Sequence, residues 1–146
     1  MSENYISQYT GKEIEERLNS HYTETILFEV DVDNTNFGTI TLSDSLSNYD
    51  YIDIYAATDD LHCLYQRVYK PNGKFVTLNV NLISTYCFNK TKVYKLEGNK
   101  METNVFQNKI QAGVSFYNTA KQEHIITLGE EYIGVYLVIG YKKPTL

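Results

Sequence analysis

From residue 25 onward the chain alternates between apolar and polar positions with a period of two. In "ILFEVDV" (26–32), Ile26, Phe28, Val30 and Val32 share one side, with mostly polar residues between them. That period marks a half-buried β-strand, because successive side chains of an extended chain point to opposite faces. The segments "TITL" (39–42), "YIDIYA" (51–56), "FVTLNVNL" (75–82) and "IGVYLVI" (133–139) follow the same rule. Weaker strand signals cover 62–69, 92–96, 101–106, 110–117 and 123–128. Turn signals separate them: Asp33-Asn34, Pro71-Asn72-Gly73, Gly98-Asn99 and Gly129.

Before residue 25 the period is helical. In "YTGKEIEERLNSHY" (9–22), Thr10 and Glu13 form a capping box, in which each side chain satisfies an orphan backbone N–H. Tyr9 and Ile14 stand at the positions of a hydrophobic staple, and Glu13 precedes Arg17 by one helical turn. Ile14, Leu18 and Tyr22 line a single thin stripe. A helix this short needs a partner for that stripe. The chain is therefore expected to be mainly β, an antiparallel β-sandwich or jelly-roll-like domain preceded by one short N-terminal α-helix. The seam divides an N-terminal helical segment (1–24) from a β domain (25–146).

The stretch "LSNYDYIDIYAA" (46–57) raises the functional question. Counting by twos puts Tyr49, Tyr51, Asp53 and Tyr55 on one face, opposite Ile52 and Ile54. If the isoleucines face the core, the tyrosines face outward, with Tyr65 and Tyr69 joining them from the next strand. The chain has 14 tyrosines, 6 phenylalanines and no tryptophan. Outward Tyr with interspersed Asp suits recognition, through a flat ring, little entropy to lose and a hydroxyl to donate. Burial against a subunit neighbour or a second sheet accounts for the same pattern, since Tyr is also a good strand former.

Catalytic and metal signatures are weak. "DVDNTNFG" places Asp31, Asp33 and Thr35 as in a calcium loop. Asn36 replaces its required Gly, and Leu42 its bidentate Glu. The 3 histidines, His21, His62 and His124, lack metal-ligand spacing. His62 and Cys63 are adjacent on a predicted strand and so diverge. Cys63 and Cys87 belong to no Cys-x-x-Cys pair and are expected to be free. No nucleophile elbow or phosphate loop is present. No catalytic residue, no metal and no cofactor is expected.

Composition narrows the partners. A net charge of −5 and scattered lysines argue against nucleic acid, whose phosphates need clustered cations. "YIGVYLVIGY" (132–141) is the longest apolar stretch, too short for a helix to cross a bilayer. No secretory signal is visible, so synthesis in a cytoplasm is expected and the Asn89-Lys90-Thr91 sequon is expected to be idle.

"YISQYTGKEIEERL", "TILFEVDVDNTNFGTITLSDSLSNYDYIDIYA" and the closing "YIGVYLVIGYKK" together resemble small fibre, baseplate or tail-tip proteins of tailed bacteriophages and prophages. The shared elements here are Gly38 to Leu42, Ser47 to Tyr55 and Ile139 to Tyr141. The resemblance implies a non-enzymatic virion structural protein, a trimeric head- or tail-fibre component made in the bacterial host cytoplasm. Its partners would be copies of itself, other capsid or tail proteins, and the host surface. In that picture Ile14, Leu18 and Tyr22 serve oligomerisation, and the tyrosine face meets a subunit or a host glycan. A monomeric carbohydrate-binding module that uses the exposed tyrosines is the alternative.

Overall fold

The computed structural model describes Lys12 and residues 21–83, 86–103, 112–118, 123–129 and 131–144. Of the helix expected over 9–22, Lys12, His21 and Tyr22 are described, His21 and Tyr22 outside any helix, while Ile14 and Leu18 lie outside the described residues. The described residues form ten strands, in chain order: β1 (Thr23–Glu29), β2 (Ile40–Thr41), β3 (Tyr51–Thr58), β4 (Cys63–Tyr69), β5 (Phe75–Ile83), β6 (Tyr86–Glu97), β7 (Lys100–Glu102), β8 (Ala112–Asn118), β9 (Glu123–Leu128) and β10 (Ile133–Lys142). The chain is mainly β, and every strand pairing among the described residues is antiparallel.

The strands form two sheets. The smaller has the order β1-β10-β3-β4. In the larger, the long β6 is central: β5 pairs along one side, while β7 and β8 share the other in succession. Alternation in the sequence becomes alternation in burial. Ile52, Ile54 and Ala56 of β3 are fully buried, as are Leu78 of β5 and Leu96 of β6, and Val76 of β5 is buried opposite Tyr94 of β6. These residues join Leu27, Ile40, Leu46, Met101, Ile133, Val135 and Val138 in one apolar cluster fed by both sheets. Each buried Ile or Leu contributes roughly 1.5–3 kcal/mol through area removed from water.

Two local irregularities overturn strict counting by twos. A bulge lies between Ile26 and Phe28, so that Leu27 turns into the core while Ile26 is 55% exposed. An extra residue in one strand of a pair shifts every later side chain to the other face. The expected shared face of Ile26 and Phe28 is therefore corrected. A second bulge, between Val135 and Leu137, re-aims β10 in the same way.

The loops are tied by side chains. Asp50 accepts from Lys70 Nζ at 2.9 Å and from the backbone N–H of Lys143 at 2.6 Å, which joins the end of β4 to the end of β10. At the opposite end of the sheet, Lys90 on β6 is buried, and its ammonium meets Asp59 at 2.5 Å and Asp60 at 3.1 Å. That contact links the β3–β4 turn to the larger sheet. Lys92, also buried, donates to the carbonyls of Phe37 and Ile133.

Candidate recognition face

Register in the smaller sheet fixes which side chains share its outer surface. Across the four strands Glu24, Tyr141, Tyr51 and Tyr69 form one row, and Ile26, Ile139, Asp53 and Arg67 the next. Glu29, Leu137, Tyr55 and Tyr65 form the third. The surface is thus a grid of mostly aromatic and aliphatic side chains, with acidic residues on the β1 flank and a cation on the β4 flank.

A salt bridge sits within it. Arg67 donates from Nε to Asp53 Oδ1 at 2.7 Å and from an Nη to Oδ2 at 2.9 Å, a two-pronged geometry that carboxylate and guanidinium share. Tyr65 donates its hydroxyl to the same Oδ1 at 2.9 Å. The rings around this pair hide the carboxylate, and Asp53 is only 2% exposed although it points away from the core. The Asp53 and Tyr69 contacts hold the Arg67 pKa well above its ordinary value. Burial, followed by the bond to Asp53, pushes the Tyr65 hydroxyl up.

The rings pack on one another. Tyr51 stacks on Tyr141 at 4.7 Å with an interplanar angle of 19°, and the Arg67 guanidinium lies 4.2 Å from the centre of the Tyr51 ring. A cation over an aromatic face is attracted by the ring quadrupole. Tyr51–Tyr69 and Tyr55–Tyr65 are tilted by 52° and 51°. Burial raises the pKa of the Tyr51 and Tyr136 hydroxyls and pushes that of Tyr141 up to about 12. Tyr65 and Tyr69 remain 50% and 60% exposed. The result is a ridged aromatic surface, not a flat platform.

Of the residues expected on this face, Tyr51, Asp53, Tyr55, Tyr65 and Tyr69 are brought together. Tyr22 joins them: it directly precedes β1, outside any helix, and its ring lies 5.1 Å from that of Tyr51. Tyr49 does not. Tyr49 caps the end of a 3-10 turn at Leu46–Asn48 and lies outside β3, which begins at Tyr51, so the two-residue count does not reach it. Its ring is buried in the core, where its hydroxyl donates to Asp44 Oδ2 at 2.8 Å. Tyr49 is therefore corrected from a face residue to a core residue.

Arg67, Tyr136 and Tyr141 are members of the face that sequence reasoning missed. Arg67 shares its parity with Tyr65 and Tyr69, and that was the available signal. The position of β10 between β1 and β3 carries no local signal. At the edge of the face, Glu29 lines an open groove with Val30, Asp31 and Asn34. Among the described residues no three His, Cys, Asp or Glu side chains are placed to hold a metal ion. Comparison with known proteins finds no matching family model, no matching curated sequence and no matching solved structure.

Proposed function

We propose that this chain is a non-enzymatic structural protein of a tailed-phage virion, a head- or tail-fibre component that assembles as a homotrimer. Residues 1–24 would be its attachment segment. Residues 25–146 would be a β-sandwich, with the two sheets packed face to face over their common core. The phage assignment rests on the sequence resemblance, and assembly rests on one observation: the ridged aromatic face of the β1-β10-β3-β4 sheet. Large exposed apolar patches on a folded surface mark contacts with other molecules. Tyr and Arg are also the side chains that dominate protein–protein contacts.

A host glycan is the second candidate for this face, favoured by the exposed rings of Tyr65 and Tyr69. Two features weigh against it. Asp53, the face's central carboxylate, already accepts from Arg67 and Tyr65, and the tilted rings give a sugar no level surface. Antibody labelling of purified particles under the electron microscope tests the virion role. The expected result is label at a fixed site on the head or tail; particles that never carry the chain would overturn it.

A further inference from the structure

The two flanks of the aromatic face differ in charge and are its most exposed parts. Strand β1 carries Glu24 and Glu29 and no cation, whereas β4 has no acid, and its Arg67 and the following Lys70 are neutralised by Asp53 and Asp50. Apolar surface lies on both flanks: Ile26 on β1, and Tyr65 and Tyr69 on β4. Tyr69 is 60% exposed, and its phenolic O–H is able to donate to an acceptor from outside.

We propose that the occupant is a second copy of this chain, whose β1 flank seats on the β4 flank of its neighbour with both copies pointing the same way. This rests on the reading of the face as a subunit contact. Rotation about an axis parallel to the strands keeps the rows aligned. Glu24 then meets Tyr69, Ile26 packs on the stem of the neutralised Arg67, and Glu29 lies beside Tyr65. The opposite arrangement, β1 on β1 with strands reversed, would set Glu24 against Glu29, a like-charge contact that disfavours it. A contact between two different patches of identical chains closes into a ring when the rotation permits, and three copies satisfy it as well as two.

The test uses the full chain and sedimentation velocity. Ile26→Arg places a cation opposite Arg67, and Tyr69→Glu places a carboxylate opposite Glu24. Circular dichroism shows whether each folds as wild type does. Each variant alone is expected to be monomeric. A 1:1 mixture is expected to form dimers, because the intact β1 flank of one meets the intact β4 flank of the other. Glu24→Gln, a milder change at an exposed position, should weaken self-association roughly tenfold.

Variants as large as wild type, or a mixture that stays monomeric, would overturn the contact. A monomeric wild type that binds a glycan through Tyr69 would also overturn it and give the face to a sugar. The virion role is read separately: a monomer found in particles defeats only the contact, and an oligomer absent from particles defeats only the virion assignment.

Discussion

Arg67 of β4 grips Asp53 of β3 through two hydrogen bonds, of 2.7 and 2.9 Å, beneath a cover of tyrosine rings. The carboxylate is almost fully hidden, whereas the side chain of Arg67 is 36% exposed. The pair is therefore unequal. Removing the arginine strands a buried negative charge, while removing both partners leaves no buried charge.

Arg67→Met should destabilise the fold by roughly 3 kcal/mol, because an uncompensated buried carboxylate costs about that much. The double change Asp53→Leu with Arg67→Met should recover much of the loss. Urea denaturation of the two singles and the double closes the cycle. Equal losses in Arg67→Met and in the double variant would contradict the account.

Gly140 of β10 lies directly under the ring of Tyr49, where an added Cβ would meet ring carbons at 2.5 to 2.9 Å. Gly140→Ala should cost about 1–3 kcal/mol by overpacking. Trimming the ring in a Gly140→Ala/Tyr49→Leu double variant should return part of it, because residues in contact do not add independently. Strict additivity in thermal melts would contradict the packing described.

Stability should fall at both extremes of pH. The Tyr49 hydroxyl lowers the pKa of Asp44, and Lys70 lowers that of Asp50. For Asp60, burial opposes the shift, but Thr58 and Lys90 outweigh it. A depressed carboxylate pKa adds stability that is fully present above the unfolded value of 3.8 and is lost as pH falls through the lower folded values. Acid unfolding should therefore set in below about pH 4. At the other extreme Tyr141, raised by burial to about 12, adds stability that is present below pH 10 and is lost as pH climbs to its folded value. Tyrosinate absorbance should show a delayed class of rings that ionise together with unfolding. All rings ionising together near the free value would contradict the buried cluster.

The exposed rings should behave differently. Tyr69→Ala should leave thermal stability within about 1 kcal/mol of wild type, since surface changes away from special features do little. It should nevertheless weaken self-association. A large stability loss without any change in association would show that Tyr69 serves the fold alone.

Strands were readable from the sequence wherever one face is buried. "YIDIYA" and "FVTLNVNL" alternate because Ile52, Ile54, Val76 and Leu78 point inward, and burial enforces that period. The failures occurred where geometry departs from simple extension. The bulge at β1 reversed Ile26, and the short turn before β3 moved Tyr49 into the core. Membership of the face was half visible. Parity within β3 and β4 found five of its side chains, but the pairing of Arg67 with Asp53 depends on hairpin register. Tyr141 enters only because β10 inserts between β1 and β3, a long-range pairing with no local trace.

The most direct test of the central claim, that copies of this chain assemble through the aromatic face, is the solution mass of the full chain by light scattering. The account predicts a multiple of the 16.9 kDa monomer, with three copies the number the resemblance implies. A single species of 16.9 kDa at every concentration would contradict it.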